Sequence, residues 1–122
     1  MMAALRRSLW LAALLLLAAA SAGAHAFLDH ADPRVGSKIK SAPAQVRLWF
    51  TQQLEPAFST VRVLDAAGKQ VDKQDAKVDA AKPDLLTVSV PPLGPGTYRV
   101  VWRVLSVDTH VTEGDFTFTV AP

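Results

Sequence analysis

At 122 residues the chain has room for one domain, and its 13 Lys and Arg against 11 Asp and Glu give a formal net charge of +2 at pH 7. Half of the residues are hydrophobic and none is cysteine, which excludes thiolate metal sites, thiol nucleophiles and disulfide staples together. The only methionines are Met1 and Met2, so no thioether occurs beyond the first two residues.

The first element in chain order is a targeting segment. Arg6 and Arg7 precede an uncharged apolar run from Leu9 to Ala20, and small residues follow at Ala22 and Ala24. A basic start, a short apolar core and an A-x-A exit make up a secretory signal peptide. The run spans 12 residues, whereas a membrane helix needs about 20. Arg6-Arg7 could also serve as a twin-arginine signal, but Leu5, Ser8 and Leu9 fit that pattern poorly. Ordinary export is the expected route, with residues 1–24 as the signal and 25–122 as the folded domain. Without Arg6 and Arg7 the domain has 11 basic and 11 acidic residues, a net charge of zero. The basic balance thus belongs to targeting. No basic cluster interleaved with aromatics remains, which points away from nucleic acid and from anionic membrane surfaces. The remaining 98 residues can bury enough apolar surface to fold without disulfides.

The rest of the chain reads as short strands. Val46, Leu48 and Phe50 alternate with Arg47 and Trp49, and Val61 and Val63 alternate with Thr60 and Arg62. Ala66-Ala67-Gly68 is a turn. Residues 72–83, charged and alanine-rich, read as a solvated loop in which a short helix has little support. Leu86, Val88 and Val90 alternate with Thr87 and Ser89. The stretch Pro91-Pro92-Leu93-Gly94-Pro95-Gly96 then precedes the longest strand, in which Tyr98, Val100, Trp102 and Val104 share one face. Phe116, Phe118 and Val120 form the last apolar face. Period-two patterning places one face against a core and the other in water. Five or more such strands predict an all-β, immunoglobulin-like fold, an antiparallel sandwich or Greek-key barrel. Trp49 and Trp102 are expected in or beside its core.

Two features carry chemistry. Cleavage after Ala24 makes His25 the new amino terminus, where the α-amine and ring Nδ1 can close a chelate on one metal ion. An α-amine has a pKa of about 7.7–8.0, so a cation displaces its proton at modest cost near neutral pH. Nitrogen-rich donor sets in tetragonal geometry suit Cu(II). Cleavage after Ala26 satisfies the same small-residue rule and discards His25, and the rule alone does not choose between the two. The second feature is Asp108-Thr109-His110. In an extended segment the outer two side chains point to one side, where the carboxylate can ligate or orient the imidazole. A solvent-facing turn explains the triplet equally well. His30, ahead of Ala31-Asp32-Pro33, reads as an exposed histidine entering a turn, with an auxiliary ligand role open to it. Glu113 reads as a solvated turn residue with the same option.

These pieces together resemble the CopC family of periplasmic copper-resistance proteins. His25-Ala26-Phe27-Leu28 is similar to the family's mature start, with Pro33 following. Pro43 to Phe50 and Leu54 to Ser59 resemble its first core strand and next loop. Gly96 to Trp102, Ser106 to His110, Gly114 and Phe118 follow in the family's order and spacing. The resemblance implies a Greek-key β-sandwich binding Cu(II) through His25, Asp108 and His110, and it favours cleavage after Ala24. Ala31 stands where serine is common. Some relatives carry a methionine-rich Cu(I) site, and thioethers are what select Cu(I), so the lack of methionine here argues against a cuprous site. The implied protein is a non-enzymatic carrier or buffer of copper ions, with a separate inner-membrane copper transporter open as a partner. Two rivals stand beside it. One is a monooxygenase-like enzyme using the amine–imidazole pair as a histidine brace, although an aromatic substrate platform is not evident. The other is an immunoglobulin-like interaction module whose histidines bind nothing.

Overall fold

The structure, a computed structural model, describes residues 25–122, so the expected signal peptide at residues 1–24 lies outside the described residues. Eight strands follow in chain order: β1 (Leu28–Asp32), β2 (Lys38–Ile39), β3 (Gln45–Phe50), β4 (Thr60–Leu64), β5 (Lys77–Val78), β6 (Leu85–Ser89), β7 (Gly96–Leu105) and β8 (Val111–Val120), with a 3₁₀ turn at Pro56–Phe58. They form two four-stranded sheets, β1-β3-β6-β5 and β2-β8-β7-β4. The expected β-sandwich is what forms. All neighbours run antiparallel except the short β2, which lies parallel to β8.

Alternation builds the core. Val46, Leu48 and Phe50 of β3 and Val61 and Val63 of β4 are buried, as are Tyr98, Val100, Trp102 and Val104 of β7 and Phe116, Phe118 and Val120 of β8. Aromatic rings pack both between the layers and along one sheet. Phe50 of the first sheet meets Trp102 of the second edge to face at 5.1 Å, and Tyr98 stacks on Phe118 at 5.6 Å. The Tyr98 hydroxyl donates back to the Gly94 carbonyl at 2.7 Å, the tyrosine-corner device of such sandwiches. Opposite Trp102 in the β7–β8 ladder stands Gly114, leaving the indole its space.

Several parts depart from the pattern-based expectation. The stretch at residues 72–83 is not simply a solvated loop. It contains β5 instead of a helix, and Asp72 is buried. That carboxylate accepts the Val63 amide at 2.8 Å, the Gln74 amide at 2.8 Å and the Gln70 side-chain amide. Three donors compensate the burial of the charge. His30 does not enter a turn; it lies within β1. Its ring stacks on cross-strand partner Trp49 at 4.3 Å, and Nδ1 pairs with Asp29 at 2.6 Å. Trp49 itself is half-buried, whereas Trp102 is in the core.

Candidate metal centre

One end of the sandwich collects the donors. The start of the described chain, residues 25–27, passes between the end of β3 and the start of β8 before β1 begins. Ala26 is fully buried there as part of the core. On the other side, β7 is followed by a turn from Ser106 to His110 that leads into β8. Its closing bonds run from the Ser106 amide to the His110 carbonyl at 3.0 Å and from the Thr109 amide to the Ser106 carbonyl at 2.9 Å. Asp108 and His110 therefore sit in a turn, and the extended segment expected for them is not what forms. Thr109 bends the chain with φ of 72°, a left-handed conformation that is strained for a β-branched residue. The bend still brings the two side chains together, with His110 Nδ1 3.4 Å from Asp108 Oδ1.

His25, 83 residues before Asp108 in the numbering, completes the group. Its ring meets the His110 ring edge to face, with centroids 4.5 Å apart and planes at 74°. The Phe27 ring also meets the His25 ring edge to face, with centroids 5.9 Å apart. His110 and Asp108 are partly exposed, with side-chain accessibilities of 48% and 38%, so an ion in solvent can reach them. The carboxylate is tied down locally. The Ser106 hydroxyl donates to Asp108 Oδ1 and, together with the neighbouring His110, holds the carboxyl below the usual carboxylate range. Ser106 is fully buried, and its Oγ also accepts the His110 amide at 3.3 Å. One hydroxyl thus fixes the side chain of one candidate ligand and the backbone of the other.

Among the described residues, no three His, Asp or Glu side chains close around a single point as a finished ligand set. The physical reason lies in the rings. Edge-to-face packing does not aim two nitrogen lone pairs at one position, and in the unprocessed chain the His25 nitrogen is an amide bonded to Ala24. Neither auxiliary candidate joins the group: Glu113 pairs with Arg103 across the β7–β8 ladder, and His30 lies against Trp49. The Ser106 hydroxyl was not singled out from sequence, and neither were those of Thr51, which donates to the His25 carbonyl, and Thr112, which donates to the Ala26 carbonyl. Only the serine had a readable cue, its place two residues before the Asp108-Thr109-His110 triplet.

Fold and donors together define a small β-sandwich protein with an imidazole–carboxylate cluster at one end. The CopC domain family matches residues 28–121, and the chain belongs to that family. Among solved structures it is similar to CopC from Methylosinus trichosporium OB3b, with 43% identity, a TM-score of 0.76, and coverage of 80% of this chain and 95% of that one. It is also similar to PcoC, a methionine-rich copper resistance protein from Escherichia coli, at 32% identity and a TM-score of 0.67, covering 79% of this chain and 98% of that one. Copper resistance protein C of Xanthomonas campestris pv. juglandis is 36% identical over 116 residues, 85% of this chain and 86% of its own length.

Proposed function

We propose that the chain is an exported, periplasmic Cu(II)-binding protein that sequesters or ferries copper, is cleaved after Ala24, and holds the ion through His25, Asp108 and His110. In this reading His25 supplies its α-amine and Nδ1, His110 a further nitrogen, and Asp108 an oxygen or an orienting hydrogen bond. The observation that carries it is the meeting of His25 with His110 at 4.5 Å, beside a carboxylate that is held ionised. Family membership adds support, because named relatives are copper resistance proteins. The oxidation state follows from donor chemistry. Nitrogen and oxygen donors suit Cu(II), and residues 25–122 contain neither cysteine nor methionine to select Cu(I).

Processing after Ala24 gains support from packing. Ala26 is fully buried in the core, so a cut behind it would remove a core residue together with the histidine. The cluster is an open, small surface site, which favours a carrier over an enzyme. The reading is tested by titrating the purified exported protein with Cu(II) from a chelator buffer. One equivalent is expected to bind, with His110→Ala and Asp108→Ala each weakening it by tenfold or more, about 1.4 kcal/mol. Wild-type binding by both variants would reject the site.

A further inference from the structure

We propose that Thr51 and Thr112 form a two-sided clamp on residues 25–27 and act as positioning residues for the amino-terminal ligand; this rests on the Cu(II) reading given above. Residues 25–27 precede the first residue of β1 and so lie outside the sheet ladders. Chain ends of this kind fray unless they are tied down. Here the ties come from both sheets.

Thr51 follows β3 in the first sheet. Its amide donates to the Phe27 carbonyl at 2.9 Å, while its Oγ1 accepts the Phe27 amide at 3.0 Å and donates to the His25 carbonyl at 3.3 Å. Thr112 belongs to β8 in the second sheet, and its Oγ1 donates to the Ala26 carbonyl at 2.6 Å. That contact joins residues 86 positions apart.

The placement relative to His110 gives the clamp its meaning. Thr112 stands two residues after His110 on a strand paired to β7 from Val111 to Val120. Holding the Ala26 carbonyl on Thr112 therefore fixes His25 beside His110, before any ion arrives. Ala26 itself is fully buried as part of the core, a further tie on the segment. Without the clamp, only the fraction of molecules with this segment in place can bind, and the apparent affinity falls by that fraction.

Thr112→Val keeps the shape and strand preference of the side chain and removes its hydroxyl, leaving the Ala26 carbonyl without its donor. Cu(II) affinity of the exported protein, measured by competition with a chelator, is expected to fall about tenfold, the equivalent of one hydrogen bond whose acceptor stays buried. Thr112→Ser restores the hydroxyl and is expected to bind within about threefold of wild type, a residue of the smaller side chain's greater freedom. Thermal unfolding of the metal-free variants monitors the fold, and Thr51→Val, at an exposed position, serves as the second variant if Thr112→Val does not fold.

A cycle separates positioning from plain stability. His25→Ala removes the ring that closes the terminal chelate, with the new terminus verified by mass. In that background Thr112→Val is expected to change affinity by less than about twofold, because the ligand that it positions is already lost. Equal losses in both backgrounds, or wild-type affinity in folded Thr112→Val and Thr51→Val, would overturn the clamp. Unchanged binding by His25→Ala alone would instead reject the terminal ligand on which the clamp rests.

Discussion

Replacing Gly114 by alanine tests whether β8 is shaped around the Trp102 indole. A Cβ at this position would stand 2.4 Å from Trp102 Cζ2, 2.7 Å from Cε2 and 3.1 Å from Cη2. The first two distances are far inside van der Waals contact. Two effects oppose each other. Losing a glycine restricts the unfolded chain and stabilises by about 0.4–1 kcal/mol where the backbone is compatible. Overpacking a core ring costs about 1–3 kcal/mol, occasionally more. The clash wins because the obstructing atoms belong to a rigid, buried ring that meets Phe50 on the opposite sheet at 5.1 Å. A net loss of about 2 kcal/mol is expected, which lowers the melting midpoint by roughly 8–16 °C in a domain of this size. Urea unfolding followed by tryptophan fluorescence gives the free energy, with the slope against denaturant checking that the unfolded state is unchanged. Trp102→Leu should absorb most of the penalty in the double variant, because the two residues are in contact. A Gly114→Ala protein as stable as wild type would refute this reasoning.

Other predictions concern polar groups. Asp72→Ala strips the acceptor from the Val63 and Gln74 amides and is expected to destabilise by about 2–3 kcal/mol, measured by the same unfolding experiment, without changing Cu(II) affinity. Ser106→Ala removes the leading cause of Asp108's lowered pKa, so its carboxyl titration, followed by ¹³C NMR on the metal-free protein, should move up toward the ordinary aspartate value. In wild type the sign is that of a depressed carboxylate. The contribution is present above the unfolded-state pKa of about 3.8 and is lost only as pH falls through the lower folded value. Acidification is expected to release Cu(II), because every proposed donor must be deprotonated to bind. Cu(II) affinity that does not weaken as the pH is lowered would contradict the proposed ligand set.

Much of the sandwich was legible because its central strands obey the two-residue period. β3, β4, β6, β7 and the end of β8 carry large apolar residues at alternate positions, and those face the core. The early part of β8 was hidden for a specific reason. Its inward positions are Thr112 and Gly114, small because one bonds the Ala26 carbonyl and the other yields to Trp102. β1 was obscured by a register irregularity between Leu28 and His30, which breaks alternation. β2 and β5, two residues each, are too short to show any period. Asp72 looked like part of a solvated charge run because nothing local reveals that its partners include Val63 on β4. At the candidate site, chemistry and spacing marked His25 and the Asp108–His110 pair only as open candidates, and the family resemblance joined them into one set. The hydroxyls that hold them act through contacts that only folding creates, over 86 positions in the case of Thr112.

A freshly cut histidine terminus that takes up a cupric ion is the central expectation. Native and denaturing mass spectrometry of the exported protein, with and without one equivalent of Cu(II), examines both parts at once. The expected result is a chain beginning at His25 that gains the mass of one copper ion only under native conditions. A chain beginning at Phe27, or one beginning at His25 that takes up no copper, would contradict it.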